Sequence, residues 1–317
     1  MWNDLWLMTG ALIPVFALVA LGWFIFRLKL VTDQGVDDLN RLVFYVILPA
    51  QLFIMVARAD LVNHFDIKAL AAALAGFFGG WLGSWILAVK LPAVTRGTLV
   101  SGVARPNAAF IGLPVMELVA LTMPPADAAL MMTTFGVLLG IMVSVYNAGT
   151  VTALRLAHHG LTRTGLIEIG FQMLINPLII ACALGMIASV IKPGLLHGSL
   201  PGTTIELLAT AAIPASLLLT GMQLDMSLVR RHPKLLALGS LGKLLAVPAI
   251  TYLVGRLLEV NPHALTAAVI LNACPVAVAT VPMARILGGD AILMAALVVV
   301  STVGAPFAML VWLLVLR

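Results

Sequence analysis

The stretch Ala104-Arg105-Pro106-Asn107-Ala108-Ala109-Phe110-Ile111-Gly112-Leu113-Pro114 decides the fold, because it places an arginine and a proline inside an apolar segment, residues 97–121. Proline removes a backbone donor and clashes with the preceding helical turn, and the residue before it is pushed towards extended geometry. Residues 264–286 repeat this arrangement with Asn272-Ala273-Cys274-Pro275. We therefore predict two interrupted helices.

Long apolar runs around these two segments indicate an integral membrane protein. The chain has 317 residues, of which 62% are hydrophobic and 10% are charged, whereas soluble domains carry about 25% charged residues. A helix of about 20 apolar residues crosses the hydrocarbon layer, and helical hydrogen bonds satisfy the backbone there. We predict an all-α protein with ten transmembrane spans, at residues 5–26, 39–57, 67–89, 97–121, 127–154, 166–191, 203–224, 235–258, 264–286 and 290–316.

Two sequence patterns occur twice, about half a chain length apart. Ile47-Leu48-Pro49-Ala50 is matched by Ala212-Ile213-Pro214-Ala215, and Asp127-Ala-Ala-Leu-Met by Asp290-Ala-Ile-Leu-Met. The pattern predicts two five-span repeats, residues 1–160 and 161–317, of which the second enters the membrane inverted. Inverted repeats with matching interrupted spans are typical of secondary transporters, whose substrates bind near the bilayer midplane.

Arg105 and Asn107 are the first candidate binding residues. A charge inside a span is costly and should face protein or a water-filled cavity. A guanidinium matches a carboxylate with two parallel hydrogen bonds, so Arg105 is predicted to bind a substrate carboxylate, although a local carbonyl or Glu117 is an alternative partner. Asn107 is predicted to bind substrate, water or freed backbone groups, with capping of the second half-helix as the alternative.

Four further residues are weaker candidates. Asn272 precedes the second break, and Lys243 lies inside span eight, where it could neutralise substrate charge, bridge two spans or extend its amine to the membrane surface. Asp60 and Asp225 occupy equivalent positions in the two repeats. We interpret them as structural equivalents first and as coupling residues second.

The remaining sequence favours no other class of function. It lacks the zinc-protease, nucleophile-elbow and phosphate-loop motifs, so no enzyme activity, metal or cofactor is expected. The basic residues are scattered through short loops and indicate no nucleic-acid partner. Most of them face the cytoplasm if both termini lie outside it, and this orientation in the inner (plasma) membrane is therefore predicted. Cys182 and Cys274 are interpreted as small buried hydrophobic residues.

The run from Pro106 to Pro114 resembles the fourth-span signature of the auxin efflux carrier family, which includes bacterial carboxylate permeases. The segments Leu12–Gly22 and Leu39–Ala50 resemble the same family. The resemblance implies a ten-span fold related to bile-acid symporters and sodium/proton antiporters, in which spans four and nine cross at their breaks. Spans one, two, six and seven would form a scaffold that often dimerises, and spans three to five and eight to ten would move as a transport unit.

By position, the resemblance makes Pro106, Asn107 and Pro275 the crossing residues, and it matches Asp60 to an acid that follows span two in plant exporters. The chain departs from the plant members at Val276, where they carry a polar residue, and at Arg105, where they carry an apolar one. These departures favour a small, strongly anionic substrate such as malonate or malate over auxin.

Two alternatives stay open at this stage. One is a sodium-coupled symporter for organic anions of the bile-acid type, with Asn107, Asn272, Thr280 and free carbonyls as possible sodium ligands. The other is a membrane receptor or assembly subunit that transports nothing, although such a protein would gain little from two matched interruptions.

Overall fold

The structure is a computed structural model that describes residues 2–58, 66–156, 171, 175–191, 199–230 and 232–317. Within these ranges every regular element is a helix and there is no strand, as the composition predicts. The α-helices are α1 (Trp2–Arg27), α2 (Asp33–Leu42), α3 (Leu48–Ala57), α4 (Ile67–Leu87), α5 (Ala93–Ala104), α6 (Leu113–Ala120), α7 (Pro125–Leu156), α8 (Pro177–Ile191), α9 (Leu200–Thr210), α10 (Ala212–Met222), α11 (Pro233–Leu241), α12 (Val247–Leu257), α13 (Pro262–Ala273), α14 (Thr280–Ile286) and α15 (Ala291–Val315).

Seven helices in the described ranges are long and apolar enough to cross a membrane. They are Trp6–Arg27, Asp33–Ala57, Ile67–Leu87, Pro125–Leu156, Leu200–Met222, Pro233–Leu257 and Ala291–Val315. The other three predicted spans contain shorter apolar helices, namely Ala108–Ala120, Pro177–Val190 and Pro262–Ala273. Two of these belong to the interrupted segments, and the third follows residues outside the described ranges. The ten-span count therefore stays a prediction.

The helices with the most extensive packing pair as α1 with α10, α3 with α8, α4 with α12, and α7 with α13. The α1–α10 pair is held close by two glycines. A Cβ added to Gly221 would lie 1.9 Å from the Val19 carbonyl oxygen, and one added to Gly22 would lie 2.0 Å from the Leu218 carbonyl oxygen. Small residues allow this close backbone approach, which drives helix association where no hydrophobic effect operates.

Three π-helical turns explain how prolines fit inside long helices. The turns Val43–Ile47, Ala108–Gly112 and Gly242–Ala246 are each followed by a helix whose second residue is proline, at Pro49, Pro114 and Pro248. Because proline cannot donate to the carbonyl four residues earlier and its ring pushes that carbonyl away, the wider turn relieves the clash.

Two of the carbonyls that lie four residues before these prolines accept a hydrogen bond from a distant helix. The Phe110 carbonyl oxygen accepts from Ser216 Oγ at 3.3 Å, and the Leu244 carbonyl oxygen accepts from Trp312 Nε1 at 2.9 Å. Thus the prolines create acceptors that tie one part of the bundle to another.

Each of the two repeated aspartates lies at the beginning of a long helix. Asp290 caps α15, since its side chain accepts from the amides of Ile292 and Leu293 at 3.1 and 2.9 Å. Asp127 lies in the first turn of α7, where acidic residues are favoured by the helix dipole, and approaches His263 Nε2 at 3.2 Å. The matching sequence pattern here marks matching helix starts.

Candidate functional site

Both predicted helix interruptions are present. Helix α5 ends at Ala104, and Arg105 is extended with φ −109° and ψ 102°. Helix α13 ends at Ala273, and Cys274 is extended with φ −58° and ψ 146°. Each of these residues precedes a proline, which disfavours the helical region for the residue before it.

The two interruptions pair with each other in antiparallel orientation. Pro106 lies opposite Val276. The Asn107 amide donates to the Pro275 carbonyl oxygen at 2.7 Å, and the Ala277 amide donates to the Arg105 carbonyl oxygen at 3.0 Å. Because unpaired backbone groups are costly away from water, this pairing satisfies groups that the prolines remove from the helices.

A third contact anchors the paired interruptions to α15. The Val276 amide donates to Ser301 Oγ at 3.0 Å, and both residues are fully buried. The Ser301 hydroxyl therefore supplies an acceptor that the antiparallel pair itself does not provide.

A cavity of about 600 Å³ lies beside the paired interruptions. This volume is within the range of about 300–1,000 Å³ that small-molecule sites occupy. Its wall combines the end of α2 and the π turn after it, the first interruption, α7, the start of α8 and the segment leading into α14. The lining residues are Asn40, Arg41, Phe44, Tyr45, Arg105, Pro106, Asn107, Ala108, Ala109, Phe110, Leu139, Val143, Tyr146, Asn147, Val151, Ile175, Asn176, Pro177, Leu178, Gln223, Ala277, Val278, Ala279 and Met283.

The charged side chains in the described lining are all cationic. Among the described residues that line the cavity, Arg41 and Arg105 are cationic and none is acidic. Arg105 is partly buried, and its Nη1 donates to Met283 Sδ. A thioether is a weak acceptor, so the strong donors of this guanidinium are suited to a ligand with better acceptors.

Asn107 adds a neutral donor next to Arg105. Its side chain is only 5% exposed, and its Nδ2 has no hydrogen-bond partner in the described part of the chain. It makes no side-chain capping bond at the start of the second half-helix, so the capping alternative does not describe this structure. A buried donor without a partner is costly, and a ligand acceptor in the cavity would remove that cost.

The start of the helix Ala108–Ala120 faces the same cavity through Ala108, Ala109 and Phe110. The first amides of a helix have no acceptor within it, and they carry the positive end of the helix dipole. The cavity wall thus combines guanidinium, carboxamide and backbone N–H donors.

A hydrogen-bonded network lies behind this wall. The Tyr146 hydroxyl donates to Asn272 Oδ1 at 2.8 Å, and Asn272 Nδ2 donates to the Ala73 carbonyl at 3.0 Å and to Thr251 Oγ1 at 2.9 Å. Lys243 Nζ donates to the Asn272 carbonyl oxygen at 2.7 Å. The network joins α4, α7, α12 and the end of α13.

The structure separates the sequence-predicted residues into two layers. Arg105, Pro106 and Asn107 line the cavity, whereas Asn272, Pro275 and Lys243 are buried behind the lining. Asp60 lies outside the described residues. Lys243 is fully buried and bridges two helices, so its amine does not extend to the membrane surface.

The structure also shows the contacts of the other residues for which the sequence left alternative roles open. Glu117 accepts from Gln51 Nε2 rather than from Arg105. Asp225 accepts from the amide and hydroxyl of Ser227 at 3.0 and 2.7 Å, which is a local turn contact. Two possible sodium ligands are engaged within the protein, since the Thr280 hydroxyl donates to the Ala277 carbonyl and the Asn272 side chain belongs to the network.

Sequence reasoning missed Arg41 and several amide side chains in the cavity lining. The missed amides are Asn40, Asn147, Asn176 and Gln223. Asn147 gave a usable signal, because it stands inside the long charge-free stretch of α7, where a polar side chain needs a reason. Arg41 gives no such signal, because it lies near the start of a predicted span, where basic residues are common.

Comparison with known proteins supports a transport role. The comparison with curated proteins found no match. The family model described as "Membrane transport protein" matches residues 7–313, which is nearly the whole sequence. With seven apolar helices of spanning length in the described ranges, the chain is therefore a multi-pass membrane protein that belongs to the auxin efflux carrier family of membrane transport proteins.

Proposed function

We propose that the protein is a secondary transporter that carries a small organic anion, a carboxylate such as malonate or malate, across the inner membrane. The observation that carries this proposal is the composition of the cavity wall. Arg41 and Arg105 are both in the described lining, which contains no acid, and beside them Asn107 presents a donor that has no partner among the described residues. Such a wall favours an anion with several acceptor oxygens.

The donors suit a dicarboxylate in particular. One carboxylate would bind Arg105 through two parallel hydrogen bonds, which is the geometry that guanidinium and carboxylate share. Asn107 and the first amides of the helix Ala108–Ala120 would bind remaining oxygens. The aliphatic side chains of Leu139, Val143 and Val151 on α7 would face the hydrocarbon part of the substrate.

The proposed architecture is the ten-span inverted repeat with a scaffold and a transport unit. The packing of α1 with α10 and of α3 with α8 supports a scaffold built from spans one, two, six and seven. The packing of α4 with α12 and of α7 with α13 supports a second body built from the other spans. The cavity lining takes residues from both bodies, so a rigid-body movement between them would open and close it. Dimerisation through the scaffold is part of the proposal.

The position of the cavity supports the proposal that it opens to the cytoplasmic side of the membrane. Its lining includes Val151 near the end of α7, Asn176 before α8 and Gln223 after α10. In the predicted orientation, with both termini outside, these helix ends lie at the cytoplasmic face. The described conformation would then be the inward-facing one in an alternating-access cycle.

Uptake of labelled malonate and malate into proteoliposomes tests the proposal. Arg105→Ala should weaken substrate affinity by about 10–100-fold, since a hydrogen bond to a charged group contributes about 1.5–3 kcal/mol. Arg105→Lys should recover only part of this, because it keeps the charge and loses the planar fork. The control is Arg256→Ala, which removes the same group from an exposed position at the end of α12.

The outcome that contradicts the proposal is equally definite. A folded Arg105→Ala protein that transports malonate and malate with unchanged affinity would show that the guanidinium does not bind the anion. Absence of flux for every carboxylate tested with the wild-type protein would exclude carboxylate transport.

A further inference from the structure

Lys243 places its side-chain amine at the end of an interrupted helix. Its side chain is fully buried, and its Nζ lies 2.7 Å from the carbonyl oxygen of Asn272, the penultimate residue of α13. The last four carbonyls of a helix have no partner within it, and they carry the negative end of the helix dipole. Within the described residues, the hydrogen bond of this amine goes to a backbone carbonyl rather than to a carboxylate.

The C-terminal end of an interrupted helix is a position at which some transporters bind a coupling ion. In carriers with interrupted helices, the C-terminal ends of half-helices and nearby unwound carbonyls coordinate the coupling sodium ion or proton. We propose that Lys243 is a built-in counter-cation that replaces a coupling sodium ion at the end of α13, so that the transport cycle requires no sodium.

The side chain of Asn272 supports this assignment. Its Oδ1 accepts from Tyr146, and its Nδ2 donates to the Ala73 carbonyl and to Thr251. Both ends of the carboxamide are therefore held, and the side chain cannot turn to coordinate a metal ion without breaking three hydrogen bonds. With the ammonium on the adjacent carbonyl, the end of α13 is already neutralised.

Two substitutions separate the charge of Lys243 from its volume. Lys243→Ala removes both and leaves space beside the Asn272 carbonyl that a sodium or methylammonium ion can fill. Lys243→Met removes the charge but keeps a side chain of similar length in the same space. A restored cation should therefore stabilise the alanine variant and not the methionine variant.

The experiment measures thermal unfolding of purified protein in lipid nanodiscs, with NaCl, KCl, methylammonium chloride or choline chloride at one ionic strength. Wild-type protein should unfold at the same temperature in all four salts. Lys243→Ala should unfold at a temperature about 2–4 °C higher with sodium or methylammonium than with choline, because ligands of the native state raise its stability. Lys243→Met should show no such difference. The control Lys234→Ala, at an exposed position in α11, should behave like the wild type.

Two outcomes would overturn the inference. One is a Lys243→Ala protein that unfolds at the same temperature in all four salts, and another is a wild-type protein that sodium stabilises over choline. The wild-type comparison decides the question even if the alanine variant does not fold, since a sodium site that persists beside Lys243 contradicts the proposal.

The inference rests on the proposed function only for its statement about the transport cycle, and the two can fail separately. The unfolding measurements need no substrate, so they test the counter-cation even if no carboxylate is transported. Where carboxylate uptake is observed, its rate should be the same with sodium, potassium or choline on both sides of the membrane. Stimulation of wild-type uptake by several-fold in sodium would refute the sodium-independent cycle while leaving anion transport established.

Discussion

Trp312 Nε1 donates to the Leu244 carbonyl oxygen at 2.9 Å, and Pro248, four residues after Leu244, has no N–H to donate to this carbonyl. Trp312→Phe should leave the buried carbonyl unsatisfied and cost about 1–3 kcal/mol of unfolding free energy. Thermal unfolding in detergent checks this, with Trp6→Phe as the control at a side chain that is 76% exposed. In a Pro248→Ala background the loss should shrink, since alanine can donate to Leu244. Equal losses in both backgrounds would show that the proline does not create the need for the indole.

Ser301 is expected to stabilise the paired interruptions. Ser301→Ala removes the acceptor of the buried Val276 amide and should lower the unfolding free energy by about 1–3 kcal/mol. Ser84→Ala is the matched control, because that hydroxyl donates only to the Trp81 carbonyl of its own helix at 3.0 Å. Unfolding temperatures that fall equally for both variants would contradict the special role of Ser301.

Asn107 is expected to permit anion binding because its side chain is neutral. Asn107→Asp puts a negative charge beside the proposed carboxylate and should abolish malonate and malate binding, whereas Asn107→Ala should weaken it by about tenfold for one lost hydrogen bond. Isothermal titration or substrate-induced thermal stabilisation measures the affinity. The control Asn261→Asp adds the same charge at an exposed helix cap, where aspartate is equally suitable. Retained carboxylate binding by Asn107→Asp would mean that the anion binds elsewhere.

Gly221 should tolerate no side chain. In Gly221→Ala the new Cβ would meet the Val19 carbonyl oxygen at 1.9 Å and the Trp23 amide nitrogen at 2.7 Å, so α1 and α10 must separate. The variant should be less stable by several degrees or fail to fold. Gly83→Ala is the control, because no atom lies within 4 Å of its new Cβ and alanine favours a helix by about 0.8–1.0 kcal/mol over glycine. Gly83→Ala should therefore be neutral or stabilising.

Local backbone chemistry made part of the site predictable. Pro106 and Pro275 restrict the residue before them whatever surrounds them, and Arg105 and Cys274 are extended as expected. The all-helical class followed equally directly from the apolar composition and the backbone requirement in lipid. These predictions needed no knowledge of tertiary packing.

Packing decided the rest. Which face of α2 or α7 borders a cavity depends on the neighbouring helices, so Arg41 and Asn147 could not be assigned to the lining from spacing alone. From the sequence, Asn272 and Asn107 are equally available, yet distant residues bind both ends of the Asn272 carboxamide, whereas Asn107 Nδ2 has no partner among the described residues. Whether each asparagine side chain is free to bind a ligand therefore depends on residues far away in the sequence.

The antiparallel pairing of the two interruptions has a mechanical consequence. Pulling Asn107 away from Pro275, and Arg105 away from Ala277, would break two backbone hydrogen bonds, at a cost of roughly 1–3 kcal/mol for each buried group left without a partner. We therefore expect the two paired segments to move together as one unit in the proposed transport cycle, with no hinge between them.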